Sequence, residues 1–140
     1  MFVVLDTNHF SELIRSSALG RRLRDRLLNA RCDVFVTVIT AHESLGGWLS
    51  FINGHPVGLR QVEGYLEFRL CMAALAELNP IDFDEVAAAK FAELKAERPR
   101  LGAMDLKIAA ICITHNAPLL TRNLKDFEGI PSLHTENWLD

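Results

Sequence analysis

The sequence predicts one α/β domain, a central and mostly parallel sheet flanked by helices, and three observations carry that expectation. The runs "FVVL" and "DVFVTV" are apolar and β-branched with no polar alternation, the pattern of strands covered on both faces in a parallel sheet. Long stretches of helical periodicity separate these runs from each other and from a third, "APLLT". The 140 residues suit one ordinary domain with a real core, and no repeat, low-complexity tract or linker-like shift divides them.

In order along the chain, "FVVL" ends at Asp6, and a helical pattern follows over residues 9–15. Aspartate before Thr7 suits a helix N-cap, so Asp6 has a purely structural reading as well as a functional one. A second helix, over 18–31, repeats Leu19, Leu23 and Leu27 every four residues, which leaves Arg21, Arg22, Arg24, Arg26 and Arg31 in water. After "DVFVTV" a helix over 38–52 opens with "TAHE", where Thr40 and Glu43 match a capping box. Inside it Gly46 and Gly47 each cost roughly 1 kcal/mol relative to alanine. Close approach of a backbone or a substrate would account for them, and so would a break in the helix. Helices over 58–77 and 83–97 come next; Leu59, Val62, Leu66 and Leu70 form a stripe on the first, read as core with a dimer face as the alternative. The last long helix, over 104–115, ends at His115, and Asn116 and Pro118 mark the start of the third strand. "IPSLHTENW" fits a short edge strand opened by Pro131.

Composition narrows the function. A net charge of −3 argues against a general nucleic-acid coat protein. Cys32, Cys71 and Cys112 are odd in number, far apart and set among apolar residues, which suits reduced core thiols rather than disulfides or a metal knuckle. The five histidines show no pair at metal-ligand spacing. No run reaches the roughly 20 apolar residues of a membrane span, and Asp6 and Glu12 stand where a signal peptide carries Lys or Arg. A soluble, cytoplasmic protein is expected.

The architecture places the chemistry. In an open parallel sheet, ligands bind at the carboxyl edge of the strands, where helix N-termini collect. Asp6 follows the first strand directly, Glu43 lies early in the helix leaving the second, and Thr121 to Asp126 follow the third. A helix leading into a parallel strand runs antiparallel to it, so Asp105 comes to the same edge. Crowded carboxylates repel one another, and a hard divalent cation removes that conflict. Oxygen ligands without histidine or cysteine suit Mg²⁺ or Mn²⁺ rather than zinc, and such ions serve phosphodiester hydrolysis. Asp105 in a first helical turn is also favoured by the helix dipole alone, and Asp126 also reads as a turn residue.

The blocks "VVLDTN", "VTVITAHESLGG", "GAMDLKIAAICITHNAPLLTRNLKDFEGIPSL" and "TENWLD" resemble, in order and spacing, a bacterial PIN-domain protein of the VapC type, the ribonuclease toxins of toxin–antitoxin pairs. The resemblance implies a single PIN-like domain over residues 1–140, an acidic Mg²⁺ site with Mn²⁺ able to substitute, endoribonuclease activity on RNA, and a homodimer inhibited by a small antitoxin. It assigns the metal and catalytic acids to Asp6, Glu43 and Asp105, and a fourth acidic position to Asn123. Asparagine brings no charge, so one tightly held ion is expected rather than two, with Asn123 still able to accept a bond from a bound water. Asp126 compensates only if the turn brings it inward. Asn8 and Thr121 read as neutral groups that position water or the ligating carboxylates. Arg122 and Lys125 flank Asn123 and either meet a phosphate or are ordinary exposed turn residues. Two other classes stay open: a catalytically weak PIN-like module that binds RNA or protein, and an aspartate-nucleophile phosphohydrolase. The last fits poorly, because it expects a second aspartate where Asn8 stands.

Overall fold

Four strands form a single sheet, β1 (Phe2–Leu5), β2 (Asp33–Phe35), β3 (Leu119–Leu120) and β4 (Thr135–Glu136), in the computed structural model, which describes all 140 residues. Their order is β2-β1-β3-β4 and every pairing is parallel. Seven helices pack around them: α1 (Thr7–Arg15), α2 (Ala18–Asn29), α3 (Val38–Asn53), α4 (Leu59–Leu78), α5 (Glu85–Glu97), α6 (Ala103–Thr114) and α7 (Leu124–Phe127). The parallel sheet, and six long helices within two residues of their expected bounds, agree with the sequence reading.

The continuous apolar run of β1 has a direct cause. Successive strand residues point to opposite faces. Val4 enters a core with Leu94, Leu106 and Ile111 from α5 and α6, while Val3 and Leu5 enter a second core with Phe10, Leu23 and Leu27 from α1 and α2. Helices cover both faces, so no position of the strand is polar until Asp6. α6 lies deepest, burying Leu106 and every residue from Ile108 to Cys112. The arginines of α2 are exposed while Leu23 and Leu27 are buried, as the four-residue repeat requires.

β2 departs from expectation. It is an edge strand with Asp33 exposed and Val34 and Phe35 half-buried, and it stops at Phe35. Thr37 then caps α3, its Oγ1 accepting from the Thr40 amide at 3.2 Å, so "DVFVTV" is divided between strand and helix. The edge strand β4 begins at Thr135, and Pro131 lies in the preceding turn rather than at its start. Residues Leu124–Phe127, read as a turn, close one turn of helix.

The stripe on α4 is not core: Leu59 is 82% and Leu70 61% exposed, with Val62 and Leu66 between solvent and half-cover at 55% each. The buried face instead runs through Gly64, Cys71 and Leu75. Gly64 sits so close to α3 that a Cβ there would lie 2.7 Å from Ile52 Cγ1. A face made buried by a missing side chain carries no hydropathy signal. Gly20 does the same where α2 crosses α1, its Cα facing the Glu12 carbonyl. No helix is long and apolar enough to cross a membrane.

Candidate active site

Asp6 is still part of the strand ladder, its amide donating to Leu120 O at 2.9 Å, when its side chain takes up two further roles. Oδ1 accepts from the Thr7 amide at 2.8 Å, which caps α1, and Oδ2 accepts from Thr121 Oγ1 at 2.7 Å. Cap and buried carboxylate are therefore one residue, only 3% exposed. Burial raises its pKa above the ordinary carboxylate value; the bonds from Thr121 and Thr7 oppose that rise, and the charge of Glu43 adds to it.

Glu43 arrives from α3, and its Oε1 accepts from Thr7 Oγ1 at 2.7 Å. Thr7 Oγ1 also lies 3.1 Å from Thr40 Oγ1, so one threonine links α1 to α3. Because Thr37 is the cap, Thr40 sits in the first turn of α3 and no capping box joins it to Glu43. Glutamine at 43 keeps the bond from Thr7 but loses the charge. Glu43→Gln is expected to melt within a degree or so of wild type, since substitutions that keep their contacts cost little, while losing activity; retained turnover would show that the carboxylate is structural.

Asp105 stands in the first turn of α6, behind Gly102, which offers no side-chain cap. It is half-buried and its pKa is pushed up to about 6, by burial first and then by the charges of Asp6, Glu43 and Asp126. The strand edge thus couples Asp6, Glu43 and Asp105 electrostatically. No three His, Cys, Asp or Glu side chains stand close enough together to hold a metal ion among them. An open carboxylate rim fits a magnesium-sized ion, which keeps several waters and needs few protein ligands, better than it fits zinc.

The flanking residues divide. Thr121 is fully buried; besides donating to Asp6 it accepts from the Asn123 amide at 3.0 Å. Asn123 itself is exposed at the start of α7, and its side chain caps nothing. Asp126 is exposed on α7, close enough for its charge to act on Asp105. Asn8 turns to His9, 2.9 Å from Asn8 Oδ1 to Nδ1. His9 Nε2 accepts from the Trp138 amide at 3.1 Å, so Nδ1 carries the proton given to Asn8. Burial, then the charge of Arg122, lowers the His9 pKa to about 4 and keeps the ring neutral. Arg122 is bidentate on Asp140, Nε to Oδ2 at 3.1 Å and one terminal nitrogen to Oδ1 at 2.9 Å, rather than free for a phosphate. Lys125 borders a shallow cleft of mixed charge with Arg98, Arg100 and Asp126.

Sequence reasoning missed Thr7, which holds both Asp6 and Glu43, and His9, which anchors the last strand's following segment. "DTN" contained the threonine without any spacing to reveal its distant partner Glu43. A lone histidine in an apolar helix face has no signal at all.

Comparison with known proteins follows the same lines. Ribonuclease VapC2 of Rickettsia felis is 40% identical over 68 residues, 46% of this chain and 51% of that protein. Ribonuclease VapC of Rickettsia bellii is 43% identical over 70 residues, 49% of this chain and 52% of that one. The matched stretch spans about half the length of these curated relatives. The crystal structure of VapBC2 from Rickettsia felis bound to a DNA fragment from their promoter superposes with a TM-score of 0.76 at 26% identity, over 99% of both chains. PIN-domain nucleases generally use divalent metal ions, in keeping with the open acidic rim. The PIN domain profile matches residues 3–132, and this chain belongs to the PIN domain family.

Proposed function

We propose that this chain, taken over residues 1–140 as one PIN domain, is a Mg²⁺-dependent endoribonuclease and the toxin of a cytoplasmic toxin–antitoxin pair. The observation that carries the reading is the meeting of Asp6, Glu43 and Asp105 at one sheet edge, where burial and mutual charge raise the pKa of Asp6 and Asp105. Relatives named ribonuclease VapC support the activity, and a VapBC structure supports a protein partner.

Asp6, Glu43 and Asp105 would hold the ion, Mg²⁺ or Mn²⁺ in its place, and the bound ion would supply activation of water and stabilisation of the leaving oxygen of a phosphodiester. The chain's own residues do the rest. Thr121 and Thr7 fix the rotamers of Asp6 and Glu43 through bonds of 2.7 Å each. Asn123 brings no charge to the turn after β3, which supports one ion rather than two. Arg122 reaches substrate only by leaving Asp140, and Lys125 is the freer of the two basic residues.

An apolar groove of about 410 Å³ between α1, α2 and α4, walled by Leu13, Ile14, Leu27, Ala74 and Leu78, suits an antitoxin segment. The exposed apolar face of α4 is consistent with a homodimer.

Purified chain is expected to cleave single-stranded RNA with Mg²⁺, to stop with EDTA and to recover with added Mg²⁺ or Mn²⁺. RNA binding without metal-dependent cleavage would favour the binding-module reading that Asn123 keeps open. Asn123→Asp is expected to tighten Mn²⁺ binding on the order of tenfold, the scale on which groups around a metal act. Titration calorimetry measures it, and an unchanged affinity would place Asn123 outside the ion's surroundings and make Asp126 the next residue to change.

A further inference from the structure

A second cleft, about 340 Å³, opens between α1, α3 and α4 and shares Thr7 and Glu43 with the acidic rim. Its other walls include Ser11, Ser44, Trp48 and Phe51. We propose that this cleft seats one unpaired nucleobase of a single-stranded RNA, next to the phosphate held at the acidic rim; the inference rests on the ribonuclease reading.

Four features point to a base. The cleft lies in the size range of small-ligand sites, about 300–1,000 Å³. Trp48 meets Phe51 edge to face with centroids 5.8 Å apart; the Phe51 ring is also packed against His55 at 4.4 Å, so the half-buried Trp48 is the ring with surface left for stacking. Ser44 Oγ is buried and makes no hydrogen bond, although a helical serine ordinarily bonds back to a carbonyl of the preceding turn. A hydroxyl both donates and accepts, so it can meet either kind of group on a base edge. Finally, no lysine or arginine lines the cleft, and Glu43 is its one acidic lining residue. Anions are turned away from the interior, and the neutral part of an RNA chain is its base.

Of the two glycines inside α3, Gly47 finds its explanation here. α3 runs unbroken through both, and a Cβ built on either meets nothing within 4 Å. No neighbour in the chain requires them. Gly47 lines the cleft, and its bare backbone keeps open the space that the base enters. The apolar groove differs in kind: ten of its twelve lining residues are hydrophobic, which suits a peptide. The cleft at Glu43 is walled by hydroxyls and aromatics together.

The test uses the Asp105→Asn chain, expected to bind without turnover, and labelled octamers of adenylate, cytidylate and uridylate beside an abasic ribose-phosphate octamer. Fluorescence anisotropy in Mg²⁺ is expected to show at least one base-bearing octamer bound more tightly than the abasic one by some 5- to 150-fold, the value of stacking one base. Trp48→Ala in that background is expected to bring the ratio within twofold of unity while abasic binding stays unchanged. Gly47→Leu does the same by filling the cleft, and a melting temperature at or above that of the parent shows that its fold is intact. Retention of the full base preference by both variants overturns the proposal, as does a loss confined to binding of an antitoxin peptide. Wild-type cleavage is scored separately on the same octamers. Cleavage without base preference leaves the ribonuclease reading standing and removes the base site; base preference without cleavage does the reverse.

Discussion

Metal-dependent RNA cleavage is expected to vanish in both Asp6→Asn and Asp105→Asn while the fold survives. Loss of a group behind a metal ligand costs roughly 10- to 100-fold, and loss of the ligand's own charge costs more. The fold survives for a reason visible at Asp6. Asparagine Oδ1 can still accept from the Thr7 amide, and its Nδ2 can donate to Thr121 Oγ1, which exchanges its donor role for an acceptor one. At Asp105 nothing structural is lost, since its carboxylate caps no helix. Gel assays on single-stranded RNA with contaminating nucleases excluded measure the effect, with circular dichroism as the check on folding. Wild-type rates in both variants would remove these residues from the mechanism.

The second large effect joins electrostatics to stability. Asp6 and Asp105 have folded-state pKa values above the ordinary 3.8, that of Asp105 about 6. For an acid shifted upward, the folded state binds its proton before the unfolded chain does. Above pH 6 Asp105 is charged in a site that disfavours charge and subtracts from stability, and Asp6, raised by the same burial, adds a penalty of the same sign wherever it is charged. Between about 6 and 3.8 the folded chain protonates first and the penalty shrinks. A divalent ion relieves the same penalty at neutral pH. At a hundred times its dissociation constant it stabilises by about 2.7 kcal/mol, which for a domain of this size raises Tm by roughly 10 °C. Millimolar Mg²⁺ or Mn²⁺ is therefore expected to raise Tm at pH 7.5, and the rise is expected to fade near pH 5 as protons compete for Asp105. Asp6→Asn is expected to raise the metal-free Tm and to remove most of the ion's effect. Differential scanning fluorimetry across pH measures all of this. A wild-type curve indifferent to both ions, together with an Asp6→Asn chain that melts lower, would leave Asp6 as a helix cap alone.

Some of the site was legible because it follows from topology. Asp6 is the first polar residue after a strand buried on both faces, Asp105 opens the helix that returns to β3, and Glu43 lies early on the helix leaving β2. Those three placements needed only strand order and the alternation of strand and helix. The role of Thr7 was not legible, because its bond to Glu43 joins positions 36 residues apart. The same holds for His9 and Trp138, and for Arg122 and Asp140, which the local sequence presents as unrelated.

By itself the sequence determined the elements and the edge to which the acids come. Apolar periodicity and chain punctuation are local properties, and a parallel sheet has one carboxyl side. Only the tertiary structure decided which face of α4 is buried, because a glycine contact with α3 leaves no trace in hydropathy. Only it decided that Asp6 caps a helix and stands in the acidic rim at once. A carboxylate has two oxygens, and the second finds its partner in Thr121, 115 residues along the chain. Which contact a group makes depends on what packing brings to it, and that is a property of the folded chain rather than of any short stretch within it.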